Sequence, residues 1–579
     1  MRKEVVRLVK LNHEALFKNV RANFASATLN FMFIIAFVNG FQWIFGAENS
    51  IVGVIFAIMM SASMVRDMTA TPVRHLLAQA AVLLWMGTSA YLVNTLPPLA
   101  AFPVNLLTVF FILYAFTYEY STHMYFPYIL SYLFLIFISP VTSEGLFRRL
   151  LGLLAGAVCM ILYQLFMGHR RAAETARDVL CSMADEAVDA ITYLLTGEGE
   201  AADPEEVHRR LFRLSQTVYD RRKKALCVSD AGFSMVDAGR GLEHVVLLAA
   251  DIKGPLSPEM RKILEKTAEK IREYKAYIAQ EGGQLAPPER EDFACGGENR
   301  VETDFYNGLL YLYNHLIHLS DPQKRTHYRK TVLSVTVRLK AALDVSPVRV
   351  VYALRVALLL SVSTLAVQAL ALPHGKWLLF TLASLSVPYA DDVKQKTGKR
   401  LVATVVGGLI SVALYSVIPS MAGRSAVMML SGYLSFYCAE YTGTFTCSTI
   451  GALGGAVFMT AFGWADVGTI AAVRLGYVCA GAALAVAANC LLFPYRRGTA
   501  TRQLLKKYTD TTELLAKVCG GREVDTQLYY SLVIQAHLLE AKLIQNARAA
   551  GWDGLDEILV KCRAAVRHAH RSREAAIGW

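Results

Sequence analysis

The sequence predicts an all-α polytopic membrane protein: two parallel six-helix transmembrane repeats with cytoplasmic helical domains. Three observations predict this. First, the chain is too apolar for a soluble protein. Of its 579 residues 54% are hydrophobic and 18% charged, with a mean hydropathy of +0.35, whereas soluble domains carry about 25% charge. Second, the apolar residues gather into twelve runs, six before and six after a long polar stretch. Third, the second set repeats the first. Arg149-Leu-Leu-Gly152-Leu-Leu-Ala155-Gly156-Ala157 aligns with Arg474-Leu-Gly-Tyr-Val-Cys-Ala480-Gly481-Ala482, Glu119-Tyr120 with Glu440-Tyr441, and Arg66-Asp67 with Asp391-Asp392. Repeated bundles with charges at matching depths are how many transporters are built, with the substrate path between the repeats.

Residues 1–22 read as an amphipathic helix. Val5, Val9, Leu16 and Val20 form one stripe, and Lys and Arg occupy much of the rest. This suits a helix lying on an anionic leaflet; a polar lead-in to the first span is the alternative. The first repeat, 23–168, holds apolar runs at 23–45, 51–65, 76–95, 103–119, 124–140 and 147–168. The second, 349–497, holds runs at 350–372, 376–390, 400–418, 425–440, 443–463 and 468–493. The second and eighth runs, and the fourth and tenth, fall short of the ~20 residues that cross a bilayer squarely. Short spans paired across halves point to a binding region.

Basic residues set the orientation. The N-terminus, the Arg66–Arg74 loop, Arg170-Arg171, the Lys394–Arg400 loop and Arg496-Arg497 share one side if each half has six spans. That side is expected to be cytoplasmic, with both termini there and the chain in the cytoplasmic membrane. Six spans return each half to its starting side, so the repeats are parallel. The polar segments 169–348 and 498–579 then become cytoplasmic helical domains, broken at Pro204, Gly254-Pro255, Gly282-Gly283, Gly520-Gly521 and Gly551. Neither alone has a large core, so they are expected to pack together.

Several chemistries are excluded. The ten cysteines are scattered without a Cys-x-x-Cys, so no metal site is indicated. There is no Gly-x-x-x-x-Gly-Lys-Ser/Thr run and no nucleophile–base spacing, so neither a cofactor nor an enzymatic activity is expected. The cluster Arg221-Arg222-Lys223-Lys224 lacks interleaved aromatics, which argues against nucleic acid.

Charges inside apolar runs are the candidates for chemistry, because a charge near the bilayer centre costs ~2.5–3.5 kcal/mol on insertion scales. Arg149 and Arg474 open the sixth and twelfth spans. They are candidate carboxylate ligands, with headgroup contact or a pair with Glu144 or Asp466 as the alternative. Arg355 lies deeper, in the seventh span, with Asn30 near its repeat position. Glu119 and Glu440 end the fourth and tenth spans, where desolvation would raise a carboxylate pKa far enough to couple protons; a helix-end ion pair is the alternative. Asp67, Asp391, Asp392 and Arg400 are candidate inner-rim gates, the acids being expected to pair with Arg66, Arg74, Lys399 or Arg400. The rings crowding spans four and five, from Phe110 to Phe137, either line a pocket or face lipid. Gly152-x-x-x-Gly156 and Gly451-x-x-x-Gly455 have the spacing that lets helices touch.

The second half resembles the fusaric acid resistance or aromatic acid exporter superfamily. The resemblance rests on Ala353-Leu-Arg355, Pro373-His374-Gly375-Lys376-Trp377, Pro388, Lys399-Arg400-Leu, Val405-Val-Gly407-Gly408, Val473-Arg474-Leu475-Gly476, Ala480-Gly481-Ala482 and Asn489-Cys-Leu-Leu-Phe-Pro494-Tyr-Arg496-Arg497. In the family a Thr often precedes the glycine pair by one or two residues; here Thr404 stands three before Gly407. Trp377, opening the eighth span, joins the candidate substrate-binding residues. The resemblance implies an inner-membrane exporter of aromatic or other amphipathic organic anions, often working with a periplasmic adaptor. A homo-oligomer is equally compatible. Plant malate-gated anion channels look like distant relatives with one six-span block. The expected function is therefore secondary-active, proton-coupled export of a small organic acid through the lipid bilayer. An anion channel or uniporter, and a membrane scaffold for envelope proteins, are the alternatives.

Overall fold

The computed structural model describes residues 24–577 apart from 26, 64–71, 118–123, 169–170, 199–200, 202, 221–228, 281–284, 294–299, 320–345, 419, 439, 458–463, 520–525 and 553. The expected surface helix 1–22, the Arg66–Asp67 loop, Glu119 and the basic cluster at 221–224 lie outside the described residues. The described chain is all helical: twenty α-helices and no strand.

Six helices form the first set: α1 (Ala27–Phe45), α2 (Ser50–Ser63), α3 (Pro72–Thr95), α4 (Pro98–Phe116), α5 (Tyr125–Phe137) and α6 (Ser143–Gly168). Five form a polar set: α7 (Arg171–Thr196), α8 (Pro204–Asp220), α9 (Asp230–Asp251), α10 (Pro258–Gln280) and α11 (Arg300–Leu316). Six more are α12 (Pro347–Ala369), α13 (Lys376–Leu385), α14 (Val393–Val417), α15 (Met421–Leu434), α16 (Tyr441–Val457) and α17 (Trp464–Leu491). The tail is α18 (Arg497–Cys519), α19 (Thr526–Ala550) and α20 (Leu555–Ile577). Among the described residues, seven helices are long and apolar enough to cross a membrane: α1, α3, α4, α6, α12, Ala390–Val417 and Asp466–Leu491. The chain is a multi-pass membrane protein.

The second and eighth spans are short, at 14 residues in α2 and 10 in α13. The fourth differs from expectation. It starts five residues early, on Pro98 at the first helical turn behind Pro97, and reaches 19 residues; proline at that position loses no hydrogen bond. The expected short pair at the fourth and tenth spans is therefore short only at α15, with 14 residues.

The helices fall into two compact units. One takes the described residues of 1–63, 76–160 and 346–497, the other those of 64–75, 161–345 and 498–579. In the first, α4 packs along α12, α14 against α16 and α17, α13 against α17 and α5, and α15 against α16. The glycine motifs receive side chains rather than backbone: a Cβ on Gly156 would lie 1.9 Å from the Phe56 ring, and on Gly455 3.8 Å from Met428.

In the second unit α9 is central, touching α7, α8 and α11, and the tail helix α19 lies on α8. One buried carboxylate organises that contact. Glu540 of α19 accepts from His208 Nε2 of α8 (3.0 Å), from the Tyr508 hydroxyl of α18 (2.9 Å) and from Arg563 Nε of α20 (2.6 Å). The other ring nitrogen of His208, Nδ1, bonds Glu243 of α9. Beside it, Ser215 and His537 Nδ1 share a 2.8 Å hydrogen bond. Burial alone would lower the His208 pKa, but hydrogen bonds to Glu243 and Glu540 push it up to about 9. Burial likewise works against the Glu540 anion, yet His208 and Arg563 pull its pKa down to about 2. His537 has no acid against its ring, and burial with nearby Arg240 and His208 lowers it to about 3.

Candidate functional site

Among the described residues of the first unit, the buried ionisable side chains of ordinary charge are six arginines: Arg149, Arg349, Arg355, Arg400, Arg424 and Arg474. No Asp or Glu there is buried. Six cations in apolar surroundings need an explanation, and helix geometry supplies it for four. The last carbonyls of each helix lack a partner within the helix, the bilayer core offers no water, and a cation complements the negative end of the helix dipole.

Arg149 of α6 donates to Ser139 O (3.0 Å), Ser139 Oγ (3.0 Å), Glu48 O (2.8 Å) and Asn49 Oδ1, closing the end of α5 and the turn at 47–49. Arg355 of α12 donates to Val387 O (2.7 Å), Pro388 O (3.1 Å) and Phe493 O (3.3 Å), beyond the ends of α13 and α17. Arg349 donates to Tyr114 O at the end of α4 (2.6 Å). Arg424 donates to Tyr415 O and Ile418 O at the end of α14 (3.1 and 3.0 Å). Arg149 and Arg355, both candidates for substrate binding, meet carbonyls in this structure. The expected alternative for Arg149, a pair with Glu144, is not what holds it.

This gives Arg149 a testable structural role. A lysine keeps the charge but has no planar fork to hold carbonyls and an amide in one plane. Arg149→Lys should lower thermal stability, by about 3 kcal/mol for a buried charged hydrogen-bond network. It should leave carboxylate selectivity intact in the protein that folds. Changed selectivity at unchanged stability would contradict the capping role.

Arg400 and Arg474 differ from the other four. Neither guanidinium makes a hydrogen bond at Nε or Nη1, although those atoms are buried. Each faces an aromatic ring. Arg474 Cζ lies 5.1 Å from the Trp377 ring centre, and Arg400 Cζ 4.1 Å from that of Phe445. The two are close enough to repel each other. Cation–π contacts contribute roughly 0.5–2 kcal/mol, far less than a guanidinium gains from an oxyanion. The pair presents unused N–H donors and two like charges in one place, which is the complement of an anion.

Local structure builds this arrangement. The turn before α13 holds two non-glycine residues in the left-handed region, Ala371 (φ 46°) and His374 (φ 59°). Such strain persists only where the surroundings enforce it. Here it turns His374 to stack on Trp377, ring centres 4.7 Å apart. Tyr477 of α17 donates to Pro373 O at 2.7 Å and ties the same turn to the helix carrying Arg474. A Cβ on Gly407 would sit 2.8 Å from Thr446 O, so α14 and α16 approach backbone to backbone. That approach, two turns along from Arg400, sets the arginine over Phe445. A Cβ on Gly481 would meet Thr381 at 3.0 Å, bringing α17 against α13. Thr404, the departure from the family pattern, donates to Arg400 O at 2.9 Å and does not disturb the packing.

The rim acids have a different partner from the one expected. Asp391 Oδ2 accepts from Arg497 N (2.7 Å), and both Asp392 oxygens accept from Arg497 Nη2 (2.7 and 2.6 Å). Glu440 is exposed. Of the crowded rings, Tyr128 and Tyr132 are core, with Phe116 stacked on Tyr128 and its hydroxyl on Gln79 (2.7 Å), while Phe111 is exposed. Sequence reasoning missed Phe445 and Lys396. A signal was present: Lys396 and Arg400 are four apart on one helix, as are Tyr441 and Phe445 on another, which places each pair on one face.

Residues 361–488 match the family model for fusaric acid resistance protein-like proteins. No curated protein and no solved structure matches the chain. The matched stretch contains Trp377, Arg400, Phe445 and Arg474, and leaves out Arg149 and Arg355.

Proposed function

From the match of residues 361–488 to the fusaric acid resistance protein-like family, we propose that the chain is a secondary-active exporter of aromatic or other amphipathic organic anions. The observation that carries this reading is the pair of buried guanidiniums, Arg400 and Arg474, without hydrogen-bond partners at Nε and Nη1. Unused guanidinium N–H donors are carboxylate ligands, and the rings of Trp377 and Phe445 beside them offer apolar contact to an aromatic body. The proposal makes the chain a transporter and not an enzyme. It places the chain in the cytoplasmic membrane with both termini inside, where basic residues favour them. A periplasmic adaptor or a second copy of the chain is a compatible partner.

A second reading, an anion uniporter, is favoured by the lack of a buried carboxylate among the described residues of that unit. An anion leaving a cell gains about 2.3 kcal/mol per charge per 100 mV from an inside-negative potential, so export needs no proton. One experiment separates the two. Purified full-length protein in proteoliposomes is given labelled benzoate, with a pH gradient or a membrane potential imposed alone. Accumulation driven by the pH gradient at clamped potential, lost in Glu440→Gln, identifies the coupled exporter. Accumulation under potential only identifies the uniporter. No benzoate flux above protein-free vesicles for any tested organic anion would end both.

A further inference from the structure

Lys396 lies one turn before Arg400 on α14, and its Nζ sits 5.5 Å from the ring centre of Tyr441, one turn before Phe445 on α16. It feels the charge of Arg400 on one side and of Asp392 on the other. The cations Lys396, Arg400 and Arg474 thus follow one another, each over its own ring: Tyr441, Phe445 and Trp377. Asp392 is four residues before Lys396, the spacing at which a helix pairs opposite charges. Yet no ion pair joins them. Both Asp392 oxygens are taken by Arg497, which also lies over the Tyr389 ring at 5.0 Å. The backbone makes the same clasp: Ala390 N donates to Tyr495 O (3.0 Å) and Arg497 N to Asp391 Oδ2 (2.7 Å).

We propose that Lys396 over Tyr441 is a third station of the anion path, and that Arg497 keeps it open to the anion by holding Asp392 away from it. This rests on the reading that Arg400 and Arg474 bind the transported anion. Lys396 is half-buried and nearer the rim than Arg400, so it meets a carboxylate first. An ammonium is a compact charge without a planar fork. It suits a group that passes an anion onward rather than one that fixes its orientation. If Arg497 let go, the Asp392 carboxylate would be free to pair with Lys396 and occupy the place of the substrate. The acid at the rim is then a built-in competitor, and Arg497 its keeper.

The test uses full-length protein in proteoliposomes with labelled benzoate as the probe. Lys396→Gln should lower flux about fivefold, the factor expected for one partly exposed charge interaction. Arg497→Gln should lower it by a similar factor, because the freed Asp392 pairs with Lys396 in place of the anion. Adding Asp392→Asn to Arg497→Gln should restore flux, since the competitor is gone. Adding it to Lys396→Gln should not. Wild-type flux in Lys396→Gln overturns the proposal, and so does an Arg497→Gln/Asp392→Asn protein no better than Arg497→Gln. Lys396→Gln keeps the test decisive should Arg497→Gln fold poorly. Arg474→Leu in the same assay separates the two levels. A silent Arg474→Leu means the anion site itself is wrong. Loss of flux there together with a silent Lys396→Gln means that only the third station is.

Discussion

Arg474→Leu should abolish the preference of transport for benzoate over the uncharged benzyl alcohol and, at the same time, raise the thermal stability of the protein. The two effects have one origin. Each hydrogen bond from a guanidinium to a carboxylate contributes about 1.5–3 kcal/mol, so losing two costs about a hundredfold or more in carboxylate selectivity. Within the protein's own packing the same guanidinium is a cost. It is buried, unpaired at Nε and Nη1, and repelled by Arg400. Replacing such a charge with an apolar side chain removes the desolvation penalty, as stability–function trade-offs at binding sites lead one to expect. Arg474→Lys keeps the charge and loses the fork, so it should fall between, with selectivity reduced about tenfold. Transport of both probes in proteoliposomes and the unfolding midpoint in detergent check this. A stability loss resembling that of Arg149→Lys would make Arg474 a fifth helix cap. Unchanged selectivity at normal abundance would end its role in substrate binding.

The contrast between Arg149 and Arg474 shows how far the sequence could be read. The repeat places both at the same depth, each opening the last span of its half, and the spans themselves are legible because lipid demands apolar runs. Depth does not reveal partners. Arg149 is satisfied by Asn49, Glu48 and Ser139, up to 101 residues away in sequence and brought together by two loop turns. Among the described residues, no acceptor meets Nε or Nη1 of Arg474. Arg400 was legible as a charge near the rim but not as a core residue. A short 3-10 turn at Ala390–Asp392 starts the helix early, and carries Arg400 inward over Phe445. Asp391 and Asp392 were expected to pair with their nearest basic neighbours. The partner is Arg497, 105 residues on from Asp392, because the chain returns to that rim after α17. Only tertiary geometry could show it.

Replacing Glu540 with glutamine should open the tail helices of the second unit. The carboxylate holds three donors from three helices, His208, Tyr508 and Arg563, and is 3% exposed. Removing one partner of a buried charged network costs about 3–5 kcal/mol, since His208 and Arg563 then have only Glu243 and Glu205 to offset their desolvation penalty. Proteolysis of α18–α20 through local opening should accelerate about a hundredfold or more, because opening rates of cleavage follow the local free energy. The pH dependence in the wild type carries the same signature. His208 has a folded pKa of about 9, above its ordinary 6.5, so its contribution is complete below pH 6.5 and is lost as pH rises through 9. His537 has a folded pKa of about 3, below 6.5, so its contribution is complete above pH 6.5 and is lost as pH falls toward 3. Glu540, held at about 2, adds a loss only below pH 4.5. Protection of the tail helices should therefore peak near pH 6.5 and fall on both sides. Glu540→Gln removes one of the two acids that hold the His208 proton, so its alkaline limb should move to lower pH. Ser215→Ala, beside His537, should leave the alkaline limb in place. A wild-type tail whose protease resistance is flat from pH 5 to 9 would show that this network does not hold the tail helices down.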